Sequence, residues 1–493
     1  QTGLEPPPAY QTVDRFGVDL VSGSLQVSSP TISVGDPARG GLSFTATWDS
    51  TARAWRYSNW GEISWELAKP DPYCLVLYTV VYMGGANVFQ REACGSNKFD
   101  RMDGFGTLVQ TAGGFSYTAR DGSVATYGSG RGSPVQTVTR LDGEIITYDY
   151  SGGPLRSVSN NLGYQLHFDY SGTTLTKVTA LNNAVDACAP SAATCSYSTT
   201  WPSLTFTTSG VEQRVTDALN QTTRIIFDGT EPFTSKIVGI ARPTNPSSAS
   251  VTYATTFIRG RGDVITSAAD GAGTWTYAYE SYCPTLQPPC PRPEDVYDLD
   301  TTVTDPNNHA TVYNIQWKGR YVWDSTLSQT MMRLPSLGSI RNALNQTTVV
   351  VQSGAGLDWV GYPEGNEIAI TRNEHGDVTG ITATSKAGSG LSSTVSTVTY
   401  PDCAVEPILC YFPSAVTDAR GGVTDYTYDA SGNLLTVTGP APTSGAPRPQ
   451  TRYVWEQRYA WYKQNGSNEI TQAPSPVWVL VSQSECLTGA TCQ

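Results

Sequence analysis

The stretch DARGGVTDYTYDASGNLLTVTGP, residues 418–440, decides how this chain is read. Asp418 and the Gly421–Gly422 pair suit a tight turn, because Asp bonds its own backbone and Gly accepts positive φ. An alternating run leads to Tyr428 and Asp429, a second turn holds Ser431 and Gly432, and another alternating run starts at Leu434. Alternation of this kind marks half-buried strands. The stretch is either one isolated hairpin or a unit from which the chain is built.

Both halves recur. YDYSGGPLRSV starts at Tyr148 and FDYSGTTLTKV at Phe168, 20 residues later; YDASGNLLTV at Tyr428 is a third copy. Each has an aromatic residue before Asp (Asp149, Asp169, Asp429), then Ser-Gly (Gly152, Gly172, Gly432), Leu, and Val three residues after the Leu. The turn half recurs as VTDALNQTT from Val215, VTDPNNHAT from Val303, IRNALNQTT from Ile340, TRNEHGDVT from Thr371 and VTDARGGVT from Val416. Every one places Thr six residues after an Asp or Asn: Asp217 and Thr223, Asp305 and Thr311, Asn342 and Thr348, Asn373 and Thr379, Asp418 and Thr424. A fixed offset between turn and strand is what a repeated hairpin requires.

The totals agree. Of 493 residues only 15% are charged, while 47 Gly, 31 Pro and 27 Tyr favour many short strands with frequent turns. No window shows sustained 3.6-residue periodicity with capping signals, so almost no α-helix is expected. A net charge of −12 without a Lys/Arg cluster argues against nucleic-acid or anionic-membrane binding. The longest apolar run, CLVLYTVVYM at 74–83, is far too short for a membrane helix and reads as a buried strand.

The ten cysteines fall in local pairs. CAPSAATC, CPTLQPPC and CAVEPILC share one spacing, and CLTGATC is one residue shorter. Disulfides Cys188–Cys195, Cys283–Cys290, Cys403–Cys410, Cys486–Cys492 and Cys74–Cys94 are therefore expected, clipping loops in an oxidising compartment. Zinc is the rival reading, disfavoured because structural sites use shorter gaps and often His, and the chain has 3 His.

The repeats resemble those of the YD-repeat, or Rhs, family of bacterial secreted and cell-surface proteins. The residues carrying the likeness are Tyr428, Asp429, Gly432, Asn433 and Leu434, with the copies at 148–158 and 168–178. The segment from Asp14, DRFGVDLVSGSLQVSSPTISVGDPARGG, resembles the entry region of such chains. The resemblance implies an all-β fold: an extended antiparallel sheet of hairpins following chain order, a curved or shell-like wall, often enclosing or carrying a toxic C-terminal domain. Residues 1–140 are read as an N-terminal β region and 141–493 as the repeats with disulfide-clipped loops. SKAGSGLSSTVST from Ser385 and GPAPTSGAPRPQ from Gly439 read as long loops.

Little in the chain marks chemistry. No nucleophile elbow, phosphate loop or zinc-protease motif occurs. His167 lies in the strand-like YQLHFDY, and His309 and His375 read as polar turn residues. Asp295, Asp298 and Asp300 in PEDVYDLDTTVTD form a weak calcium candidate without the spacing of a known calcium loop. The RGD at 261–263 scans as another repeat turn. The expectation is a secreted or cell-surface, non-enzymatic scaffold without cofactors that encloses or displays a cargo or toxin domain, or builds surface structure. Alternatives are a self-assembling extracellular fibre, a glycan-binding adhesin and, last, a glycosidase. After Cys195, Cys290 and Cys410 a new repeat follows, whereas only Gln493 follows Cys492. That grammar predicts either a longer chain or a second copy pairing with an open sheet edge.

Overall fold

The computed structural model describes residues 4, 7–50, 54–58, 61–67, 76–82, 85–91, 95–151, 153–230, 235–244, 248–258, 262–282, 298–322, 330–353 and 356–486. As expected, these residues hold no α-helix; the two helical turns, Pro37–Arg39 and Leu409–Tyr411, are 3₁₀. No helix is long and apolar enough to cross a membrane.

The architecture is the extended antiparallel sheet the repeats imply, with 32 strands among the described residues. From Thr107–Thr111 onward each strand pairs with the next in chain order, without interruption, to Gln450–Arg458. Val477–Cys486 then pairs with Gln450–Arg458 after a small hairpin, Trp461–Lys463 with Ile470–Gln472. The sheet passes residue 140 without a break, since Ser133–Thr139 pairs with Ile145–Asp149.

The start of the sheet curls into a small ring. Glu62–Leu67, Val76–Tyr82, Gly85–Arg91 and Phe99–Asp103 form a meander. Its first strand pairs with Ser133–Thr139 through Ser133↔Ile63, and the far side is joined by the bridge Lys98↔Val109. Tyr78, Phe89, Phe115, Tyr117 and Tyr127 fill the centre.

The turns explain the regularity. At Asp217, Asp305, Asn342, Asn373, Asp418 and Asp429 one side-chain oxygen accepts the backbone N–H of residues two and four positions on, at 2.8–3.0 Å. The residue three positions on is left-handed in each: Asn220, Asn308, Asn345, Gly376, Gly421 and Gly432, with φ between 59° and 87°. Only Gly and Asn take that conformation readily, which is why they occupy the position.

Hairpin tips that are remote in sequence meet. Arg120 Nε lies 2.7 Å from Asp377 Oδ1, and the Arg101 guanidinium donates to the Glu374 carbonyl. Further along, Asn161 Nδ2 donates to Ser475 Oγ at 3.1 Å, the Trp478 amide to the Asp142 carbonyl at 2.7 Å, and the Lys463 amide to the Asn183 carbonyl at 3.0 Å. The sheet thus curves until a later stretch rests on an earlier one, which is the curved wall expected.

Candidate functional site

A curved sheet acts through its faces and its edges, and the two halves of this one present them differently. One face of the earlier strands is covered by the chain's own N-terminal segment, which runs across the strands as a strap. Tyr10 packs beside Val350 and Leu357, and its amide donates to Gln352 Oε1 at 3.2 Å. Phe16, Val18, Leu20 and Leu25 bury against Ile240, Tyr253, Ile265 and Tyr277. Phe44 sets its ring edge-on to Phe168, with centroids 5.4 Å apart. The strap folds on itself as well: Gln26–Ser28 and Ala54–Tyr57 both pair with Ala46–Asp49, and Ile32–Val34 with Leu42–Phe44.

Glycine lets the strap lie this close. A Cβ on Gly23 would sit 2.7 Å from Val264 side-chain atoms, and one on Gly35 2.6 Å from the Tyr164 ring. Polar anchors fix the register. Asp14 repeats the hairpin turn of the sheet, accepting the Phe16 and Val18 amides at 2.8 and 2.9 Å. Its second oxygen accepts the Tyr277 hydroxyl at 2.5 Å. Burial first, and then that bond to a carboxylate, push the Tyr277 hydroxyl well above its ordinary 10.0. The cavity between strap and sheet, lined by Trp48, Phe227 and Ile265, measures about 30 Å³, space for about one water and not for a substrate.

Among the described residues the strap's apolar contacts reach as far as the cluster of Val350, Leu357, Val360, Ile370 and Val378. Beyond it the strands carry few buried side chains. Gln450–Arg458 has none, and in Val477–Cys486 only Val477 and Cys486 are buried. Val454 is 52% exposed, and Val479, Leu480 and Val481 about 40% each. Among the described residues Val477–Cys486 has a strand neighbour on one side, Gln450–Arg458.

The motif residues divide by role. Tyr428 packs on Phe412 and donates to the Pro413 carbonyl at 3.1 Å, while Asp429 and Gly432 (φ 86°) build the turn. Tyr148 is buried, and Asp149 Oδ1 accepts the Ser151 amide at 2.8 Å; Gly152 lies outside the described residues. The copy at Phe168 departs from the pattern. Phe168 is fully buried against the strap, but Asp169 sits in the ladder at a bulge, and Gly172 (φ 63°) carries a tighter turn.

Cys188 is joined to Cys195 and Cys403 to Cys410, and Cys486 is disulfide-bonded. Cys74, Cys94, Cys283, Cys290 and Cys492 lie outside the described residues. In both described loops the first cysteine touches a histidine: Cys188 Sγ is 3.4 Å from His167 Nδ1, and Cys403 Sγ is 3.1 Å from His375 Nε2. His375 is therefore more than a turn residue, a contact no spacing in the sequence displays. The loop of Cys188 is further fixed by Asp186. The Ser198 hydroxyl leads the donors, with the Ser198 amide, the Trp201 indole and the Thr199 amide, that hold the Asp186 carboxyl at about 2 in spite of burial.

Of the acidic cluster, the side chain of Asp300 alone lies among the described residues. Asp300 Oδ1 accepts from Asn314 Nδ2 at 2.8 Å, Asp298 contributes its backbone to the pairing with Gln316, and Asp295 lies outside the described residues. Gly262 and Asp263 of the RGD lie within a strand, and Asp263 pairs with Lys236 at 3.4 Å.

Comparison with known proteins adds the following. No curated protein matches the chain. A crystal structure of TcdB2-TccC3 aligns with 94% of this chain and 27% of its own length at 12% identity, with a TM-score of 0.36. A second, of TcdB2-TccC3 without the hypervariable C-terminal region, covers 94% and 28% at 11% identity, TM-score 0.35. A porin-like protein from Bacteroides uniformis covers 64% and 94% at 10% identity, TM-score 0.12. The chain spans about a quarter of the length of the first two. Superpositions this loose carry no geometry, and the fold rests on the chain's own ladder. The turn built at Asp418 recurs at Asp217, Asp305, Asn342 and Asn373. Residues 413–444, which contain the stretch 418–440, match the RHS repeat family, and the chain carries an RHS repeat there.

Proposed function

We propose that this scaffold is a non-enzymatic wall segment of a secreted or cell-surface assembly, and that it encloses or displays a cargo domain on the face its strap leaves uncovered. The observation that carries the reading is the change at Val378: up to it the strap buries Val350, Val360 and Ile370, and beyond it the same face of the ladder holds Val416, Val437 and Trp455 only partly buried and Leu480 40% exposed. Apolar side chains left without cover along one face of a ladder suit contact with another polypeptide. The disulfide loops fit an oxidising compartment. A passenger domain fused after Gln493 and treated with protease tests it. Passenger protection lost on substituting Trp455 and Leu480 with Asp supports enclosure or close display. Equal proteolysis with and without the sheet overturns it.

A second reading rests on the edge of Val477–Cys486. A ten-residue strand with one neighbour is a template for another strand, so copies of the chain could pair edge to edge into fibres. Concentration-dependent growth in light scattering, abolished by Leu480→Lys, distinguishes this from enclosure.

A further inference from the structure

The face opposite the strap holds a second feature. On Tyr164–Ser171, Leu166 and Phe168 point toward the strap, so alternation sends Gln165, His167 and Asp169 to the other side. There the loop carrying Cys188 and Cys195 lies over them. His167 is fully buried. Its Nδ1 faces Cys188 Sγ at 3.4 Å, and its Nε2 lies 3.3 Å from Asp169 Oδ1 without hydrogen-bond geometry. The ligand atoms of His167, Cys188 and Cys195 all fall within 4.8 Å of one another. Ser157, opposite His167 in the ladder and fully buried, has an unpartnered Oγ.

We infer that His167, Cys188 and Cys195 form a redox-gated site for a thiophilic divalent cation of the zinc type. While the disulfide is intact the two sulfurs are bonded to each other and the site is closed. A dithiol or phosphine reductant supplies two electrons; two protons complete the two thiols. Metal binding then expels both thiol protons, leaving two thiolates and the Nδ1 lone pair as ligands, with the fourth position for water. The geometry suits this in three ways. Zinc takes two Cys and one His at about 2.0–2.3 Å in a tetrahedron, and both sulfurs lie within 4.8 Å of the imidazole nitrogen, so on reduction they need only part from each other. Metal-bound imidazoles hand their other N–H to a carboxylate, and Asp169 stands on that side of His167. Cys195 is half-buried in irregular chain, so separating the sulfurs moves a loop and breaks no ladder.

The second loop is a control within the same molecule. His375 also touches a disulfide sulfur, through Nε2, but the carboxylate beside it, Glu374, lies 3.6 Å from that same nitrogen and the ring is partly exposed. The site at His167 is thus distinguished by full burial and by a carboxylate on the opposite ring nitrogen, and not by the mere contact of His with Cys.

Cobalt(II) is the probe. The intact chain, reduced with excess phosphine and still showing its β-sheet circular dichroism, should bind one equivalent. Thiolate-to-cobalt charge-transfer absorption and intense tetrahedral d–d bands should appear, neither being present before reduction. His375→Gln should leave the bands unchanged. The Cys188→Ser, Cys195→Ser double variant should lose them. His167→Gln should weaken binding, and if that variant fails to fold, Asp169→Asn should keep the bands and lower affinity about 10–100-fold. Absence of the bands in the reduced, folded chain overturns the inference, as does their persistence in the double cysteine variant or their appearance only after unfolding.

Discussion

Two parts of one sheet, up to Val378 and beyond it, are built from the same turn and the same ladder, yet they hold themselves together differently. Around Ile225, Tyr253 and Tyr277 one face is sealed by the strap, and buried aromatic and aliphatic side chains interdigitate there. Around Val437, Trp455 and Leu480, on the same face, comparable side chains are only partly covered. The hairpin turn therefore specifies strand order and register but supplies no core. Stability in the first part comes from burial, at about 25 cal/mol per Å² of apolar surface. In the second it comes from the ladder, the cross-strand pairs and clamps such as Arg448, which donates to the carbonyls of Val423, Thr438 and Gly439 and pins the long loop read from Gly439.

The largest test of that contrast is a matched pair of truncations. Phe44→Ala, at a fully buried ring against Phe168, should cost about 3–5 kcal/mol by urea denaturation. Val454→Ala, at a half-exposed site, should stay within about 0.5 kcal/mol. Equal effects would show that the strap is not what stabilises the first part.

Asp14 and Asp418 build the same turn, but only Asp14 also accepts a tyrosine hydroxyl from the sheet. Asp14→Ala should cost about 2–3 kcal/mol and Asp418→Ala about 1 kcal/mol, from the donors left unpaired. Hydrogen exchange should quicken across residues 14–25 in the first variant and stay local to the turn in the second.

Arg120→Ala removes the partner of a nearly buried Asp377 carboxylate where remote hairpin tips meet. Since Arg120 is 40% exposed, the loss should be about 2 kcal/mol, below that of a fully buried pair. Protease sensitivity should rise at the tips near 120 and 377 together.

The smallest effect is a pH dependence. Burial raises the hydroxyls of Tyr253 and Tyr277 above 10.0, so the folded state holds these protons more tightly than the unfolded chain. Their contribution is complete below pH 10 and is lost as pH rises beyond it. In a tyrosinate absorbance titration, Tyr277→Phe should remove a component that otherwise appears only as the strap detaches.

The ladder was legible in the sequence because it is local. Asp217, Asp305, Asn342, Asn373 and Asp418 each advertise a turn within six residues, and the strand order follows from them. The strap was not legible as a strap. Residues 14–58 read as ordinary β segments, and their partners Tyr253, Tyr277 and Phe168 are fixed by tertiary packing with no sequence period. DRFGV at 14–18 did carry the turn signature, and Gly23 and Gly35 mark close approach, but neither names the opposing strand. The departure at Asp169 has the same origin: burial of Phe168 under the strap and of His167 beneath the disulfide loop overrides what the local motif prefers.

The strap also sets a schedule for the chain's birth. It leaves the ribosome before the strands it covers, and Asp14 waits 263 residues for Tyr277 and Tyr10 waits 342 for Gln352. At roughly 5–20 residues per second, that is about 10–70 s during which Tyr10, Phe16 and Val18 lack the strands they cover. Hairpins can close one by one as they emerge, but the segment that seals them is made before any of the strands it covers. Cotranslational chaperone contact should therefore concentrate on residues 14–48 and end only when the strands around Tyr277 have been made.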